Sequence, residues 1–180
     1  GSLNANQHDI SQHVTITADT VLKNIGAIRS DNYVDVSVQN ATVSGDALRI
    51  YGGSDLVLSN CTIKNDLIGI SESFLRPYVT IDGDTVLGGD CSQFDANVNV
   101  YQGDLRIENS TGWCAKISVF SGASITVDHL QVAHSYLDLY GGLVNGHVTV
   151  SNGEWLSVVK SSRITGDLSF ADGKLWSDLN

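Results

Sequence analysis

The chain is short of the residues that usually punctuate or staple a fold. It has one proline, no methionine and three cysteines in 180 residues. Cys61, Cys91 and Cys114 are too few for a disulfide framework, show no C-x-x-C metal spacing, and their odd number leaves at least one thiol unpaired. Basic residues are scarce as well: 10 against 20 acids, a net charge of −10. With no basic patch to displace counterions, a nucleic-acid backbone is excluded as partner. No apolar run approaches the ~18 residues that span a bilayer, so no membrane insertion is expected. No amphipathic helix pattern is present. Charged residues make up 17% and apolar residues 42%, which excludes disorder and leaves a surface of Ser, Thr, Asn and Gly.

What the chain does have is a repeat. The stretch "LRIYGGSDLVLSNCTIKN" (48–65) alternates apolar and polar residues, turns on glycine, alternates again and reaches an asparagine. A register of apolar anchor, turn-type residue and second apolar residue starts at Ile16, Val38, Leu58, Ile81, Ile107, Val127, Val150 and Phe170. The anchors stand 22, 20, 23, 26, 20, 23 and 20 residues apart. One internal signature kept at that period predicts a parallel β-solenoid, whose coils bury their apolar sides only by stacking. Eight coils at a strand spacing of about 4.8 Å make a rod about 38 Å long.

A second register places an aromatic and then a glycine after an alternating triplet: Leu48–Ile50 before Tyr51, Val98–Val100 before Tyr101, Ile117–Val119 before Phe120, and Leu137–Leu139 before Tyr140. The glycine suits a turn of positive φ. Leu67 to Pro77 and Leu87 to Ala96 depart from both registers and are expected to loop out. Residues 1–13 are expected to be a tag scar and a flexible start, and residues 14–180 a β-helix domain cut from a longer surface protein.

The patterns "LVLSNCTIKN", "VSVQNATVSG" and "VTVSNGEWL" resemble right-handed, single-stranded β-helices, and in particular the passenger domains of Gram-negative autotransporters. The resemblance covers most of Val14 to Leu175. It implies an extracellular segment at the bacterial surface, an adhesin or a self-associating protein whose partner is itself, a host receptor or a glycan. Pectate-lyase-like enzymes and phage tailspikes share the architecture. A polysaccharide-binding or polysaccharide-cleaving role is therefore the alternative.

Four groups of residues are candidates for function. Tyr51, Tyr101, Phe120 and Tyr140 each follow an inward residue, so they form an aromatic edge that either stacks on itself or meets sugar rings or a partner. Asp82, Glu108 and Asp128 each follow an anchor and are expected to stack outside as an acidic column, either well solvated or met by a cation or basic partner. Cys91 and Cys114, 23 apart, are a candidate disulfide between adjacent coils in an oxidising compartment, whereas Cys61 reads as a small buried rung. Asn40, Asn60, Asn109 and Asn152, with His129 and Asp172, occupy the turn column, where stacked amides are expected to bond the neighbouring backbone. Trp155 and Trp176 replace smaller anchors near the end and are expected to close the core.

No catalytic set emerges. The only close acidic pair is Asp82 and Asp84, and Asp82 with Asp104 would serve as general acid and base only at glycosidase separation. The five histidines are scattered. The chain is read as a binding segment rather than an enzyme, with no cofactor and no metal.

Overall fold

The computed structural model describes residues 1–24, 26, 34–50, 55–70, 78–88, 96–108, 116–132, 136–151, 155–159 and 161–178. The chain opens with strands β1 (Ser2–Asn4), β2 (Val14–Ile16), β3 (Thr20–Lys23), β4 (Val36–Gln39), β5 (Thr42–Gly45), β6 (Leu48–Ile50) and β7 (Leu56–Ser59). Next come β8 (Cys61–Asn65), β9 (Ile68–Ile70), β10 (Tyr78–Asp82), β11 (Thr85–Leu87), β12 (Asn97–Gln102), β13 (Asp104–Ile107) and β14 (Lys116–Phe120). The last are β15 (Ser124–Val132), β16 (Tyr136–Tyr140), β17 (Leu143–Ser151), β18 (Trp155–Val159), β19 (Arg163–Ile164), β20 (Leu168–Ala171) and β21 (Lys174–Asp178).

Successive strands alternate between two long sheets. β2, β4, β7, β10, β12, β14, β16, β18 and β21 form one of nine strands. The other has ten: β1, β3, β5, β8, β11, β13, β15, β17 and β19 in that order, with β20 also on β17. β6 and β9 pair only with each other. The ladders are parallel. The protein is an all-β parallel β-solenoid, and no described helix is long and apolar enough to cross a membrane.

Period-two alternation is what builds it. In β10, Val79 and Ile81 are buried while Tyr78 and Asp82 are exposed; in β16, Leu137 and Leu139 are buried while Tyr136 and Tyr140 are exposed. A single strand of this kind hides only half its side chains, so each coil is stable only when its Val, Ile and Leu stack on those above and below. Leu58, Ile81, Val100 and Leu139 from one sheet meet Ile63, Leu105, Ile125 and Val144 from the other in a continuous core, all fully buried.

The pairing corrects the register read from sequence. Ile16, Val38, Leu58 and Ile81 do lie in successive strands of the nine-stranded sheet. Ile81, however, pairs with Val100, and the column continues through Val119, Leu139 and Val158. Ile107, Val127, Val150 and Phe170 belong to the ten-stranded sheet. The long step from Ile81 to Ile107 is where the sequence alignment crosses from one face of the rod to the other. Each coil holds two strands of the same alternation, so the pattern alone does not separate them. Leu48–Ile50, aligned by sequence with Val98–Val100, likewise sits in the two-stranded sheet, away from β12.

The start of the chain is part of the rod. Ser2–Asn4 pairs with Val21–Lys23, and Leu3, Ala5 and Ile10 pack against the core. Of the segments expected to loop out, Ile68–Ile70 forms β9 and Leu87 and Ala96 are buried; 71–77 and 89–95 lie outside the described residues. At the far end Leu156 is the buried rung and pairs with Leu175, while Trp155 pairs with Tyr136. The tryptophans therefore do not take the anchor positions. Leu168, Phe170 and Leu175 continue the columns of Val148, Val150 and Leu156 but are exposed.

Aspartates at strand starts tie the coils together. Asp19 Oδ1 accepts from Thr42 N at 2.7 Å, Asp55 Oδ1 from Tyr78 N at 3.1 Å and Asp84 Oδ1 from Asp104 N at 3.0 Å. In each case the carboxylate reaches one coil onward to an amide at a strand entry. The sequence reading missed these clasps, although an aspartate directly before or at the start of a strand recurs at 19, 35, 55, 84 and 104.

Candidate binding surfaces

The outer face of the nine-stranded sheet carries the aromatic edge. Tyr101, Phe120 and Tyr140 sit at the ends of β12, β14 and β16, on the outward phase of strands whose inward residues are valine, isoleucine and leucine. In-register pairing of Phe120 with Tyr140 brings the rings to the spacing of neighbouring strands. Tyr101 and Phe120 stack with centroids 4.6 Å apart, and Phe120 and Tyr140 at 5.3 Å, both at 21° between planes. Such offset stacks are favourable by about 0.5–1.5 kcal/mol beyond the area they bury.

This stacking decides what the ladder is able to bind. Both faces of Phe120 are covered by its neighbours, so a sugar ring has no access to them. What the ladder offers is a ridge of ring edges about 10 Å from first centroid to last, with the Tyr101 and Tyr140 hydroxyls at its two ends. Behind the ridge a hydroxyl holds the turn: Ser162 Oγ accepts from Gly141 N at 2.8 Å and donates to Leu139 O at 2.9 Å.

Beside the ridge lies a half-buried ion pair. Asp138 points outward between Tyr136 and Tyr140 and is flanked in register by Ser118 and Ser157. Its side chain is only 16% exposed, and Lys116 Nζ stands 3.8 Å from Oδ2. Burial pushes the Asp138 carboxyl above the ordinary carboxylate value, and the Lys116 charge draws it part of the way back. Burial, and then the Asp138 charge, pushes the Tyr140 hydroxyl up. The face therefore combines exposed aromatic area with a locally paired, desolvated charge. Every described tyrosine is on it: Tyr78 is 54% exposed, Tyr101 46%, Tyr136 44% and Tyr140 38%.

Tyr51 lies outside the described residues, as do Cys91 and Cys114. The strand before Tyr51 belongs to the short sheet, so the ladder of the nine-stranded face begins at Tyr101.

The acidic column is not one column. Asp82 ends β10 in the nine-stranded sheet, whereas Glu108 follows β13 and Asp128 lies in β15, both in the ten-stranded sheet. Only Glu108 and Asp128 are neighbours, one position past the Ile107–Val127 pair. All three are exposed, and the Glu108 carboxylate lies back over Gly88. Among the described residues no group of three His, Cys, Asp or Glu is placed to hold a metal ion. Asp104 is engaged elsewhere: its Oδ1 accepts from Ser124 Oγ at 2.5 Å and Thr126 Oγ1 at 3.0 Å.

The expected column of turn residues is split. Asn40 and Asn60, at φ of 52° and 48°, stand where the nine-stranded sheet turns into the ten-stranded one. Asp172, at 65°, stands at the opposite corner between β20 and β21, and His129 lies within β15, paired with His147. Asn109 and Asn152 lie outside the described residues. The backbone amide of Asn40 donates to Ser59 O, but the carboxamides of Asn40 and Asn60 make no hydrogen bond to any described residue, contrary to the expected ladder. Next to them Cys61 is buried and free, 3.9 Å from Thr85 Oγ1, with burial pushing its thiol up.

No protein-family model, curated protein or solved structure matches the chain.

Proposed function

We propose that the chain is a self-associating, adhesive segment of a bacterial surface protein of the autotransporter-passenger type. It works at the cell exterior through the outer face of the nine-stranded sheet. The observation that carries the reading is the gathering of all described tyrosines, with Phe120, on that one face. Tyrosine brings a large rigid area with a polar tip and little side-chain entropy to lose, which suits an interface.

Charge supports a second copy as partner. At a net charge of −10 two copies repel over most of their surface. On this face Lys116 offsets the Asp138 charge, which lowers the repulsion between two such faces there. Rods laid side by side bring ring edges from successive coils into contact together. Many weak contacts then act as one through effective concentration.

Sedimentation velocity of the whole chain, from low to high micromolar concentration at two salt concentrations, tests this. The expected result is a concentration-dependent dimer that is weakened in a Tyr101→Ala/Tyr140→Ala variant of unchanged circular dichroism. Added salt should strengthen the dimer, because it screens the repulsion between two acidic copies while leaving the aromatic contact intact. A monomer at every concentration, or a dimer that the double variant leaves intact, rejects the proposal.

A further inference from the structure

The corner between the two sheets contains a groove of about 440 Å³, within the roughly 300–1,000 Å³ usual for small-molecule sites. It crosses four coils. Asp19 stands at one end and Asp84 at the other, with Asn40, Thr42, Asn60, Thr62 and the half-buried Val86 between them and a buried floor of Ala41 and Cys61.

The turn residues here differ from those of the following coils. The same turn contains Asn40 and Asn60 in the groove, then Gly83, Gly103, Gly122 and Gly141 beyond it, all at positive φ. For an L-residue that conformation is unfavourable by roughly 1–2 kcal/mol, less for asparagine, and glycine is nearly free of the penalty. Asparagine is thus the less stable choice in the two coils that line the groove. Its carboxamide does not recover the difference from the described residues, among which neither exposed side chain finds a hydrogen-bond partner. Gly83 leaves the space over which the Asn60 carboxamide lies: a Cβ at that glycine would stand 2.7 Å from Asn60 Oδ1.

We infer that this groove is a binding site for a neutral oligosaccharide laid along the rod axis. A carboxamide offers one acceptor and two donors, a threonine hydroxyl one donor and two acceptors, so neighbouring sugar hydroxyls meet a partner for either role. Thr42 and Thr62 are paired in register, so the groups repeat at the strand spacing of about 4.8 Å. That repeat suits a linear ligand carrying hydroxyls on successive units. Asp19 and Asp84 are held in place by the amides of Thr42 and Asp104, and they repel a polyanionic chain. They lie three strand spacings apart, about 14 Å, too far to share one cation. The site is separate from the aromatic face and does not depend on self-association.

The whole chain, labelled to resolve the Asn40 and Asn60 side-chain amides by nuclear magnetic resonance, is titrated with a panel of neutral hexasaccharides (gluco-, manno-, galacto- and N-acetylglucosaminyl-linked). Hexagalacturonate serves as the anionic counter-probe. At least one neutral sugar is expected to move both amide signals. Asn40→Gly/Asn60→Gly should weaken its binding about tenfold or more, the equivalent of one to two lost hydrogen bonds, while the folded state is kept because glycine accepts the turn. A Thr42→Val/Thr62→Val variant, which keeps the shape of the strands, should also bind more weakly. The inference is overturned by silence of the amide signals toward every neutral sugar at millimolar concentration, by binding of hexagalacturonate alone, or by full affinity in the glycine variant.

Discussion

The two long faces of the rod share an interior and differ in almost everything outside it. Inward, Leu58, Ile81 and Leu139 on one side and Ile63, Ile125 and Val144 on the other are equally buried. Outward, the nine-stranded face displays Tyr78, Tyr101, Phe120, Tyr136 and Tyr140. The ten-stranded face displays Lys23, Lys64, Arg106, Glu108, Asp128 and His147, and no described tyrosine. Since alternation sends every second side chain out, half of each strand is released from packing. The fold constrains one half, and the other is open to selection for contacts. The first face carries an aromatic run beside Asp82, Lys116 and Asp138, and the second carries mixed charge with no described tyrosine.

That comparison breaks if the two interiors are not equivalent. Leu139→Ala and Ile125→Ala each remove a fully buried side chain, one from each sheet. Both are expected to lower unfolding free energy by about 2–5 kcal/mol, measured by denaturant titration. A large loss in one sheet and a negligible one in the other would show that one face carries the rod alone.

The carboxylate clasps come next in size. Asp55→Ala removes the acceptor that holds Tyr78 N at the edge of the aromatic face. A loss of about 1 kcal/mol is expected, with Asp55→Asn recovering much of it, because the amide oxygen still accepts. Equal stability of both variants with the parent would show that water replaces the clasp without loss.

The smallest effect concerns pH and sharpens the contrast between faces. Asp138 has a folded-state value above its ordinary 3.8, burial being the main cause. Between those two values the folded chain retains a proton that the unfolded chain has released. Stability therefore falls as pH rises through that window and stays lower above it. Asp138→Asn removes the term, so the variant should gain on the parent from about pH 4 to neutrality. Denaturation at the two pH values checks this, and a parallel response of variant and parent would refute it. Asp128→Asn, at an exposed site on the other face, serves as the control.

Much of the fold was legible in the residues. Alternation in "VNVYQ", "ISVF" and "LDLY" marks strands, and the aromatic that ends each of them lands in one stacked ladder because the spacing from Tyr101 to Phe120 to Tyr140 matches one coil. The acidic column was not legible in the same way. Asp82 and Glu108 occupy the same place in similar motifs, yet one motif begins the turn between the sheets and the other leaves the second sheet. Nor was the groove legible, since its six polar residues come from four separate coils.

By itself, then, the sequence determined that the chain forms short strands, which side of each strand is buried, and that the strands recur at a period suited to stacking. These follow from local chemistry: side chains alternate along an extended backbone, and apolar ones leave water. Which strand lies on which was decided only in the tertiary structure. Two strands of every coil satisfy the same pattern. The choice between them rests on the turn conformations at Asn40, Asn60, Gly83 and Gly103 and on the coil-to-coil hydrogen bonds of Asp19, Asp55 and Asp84, which exist only once the coils are stacked.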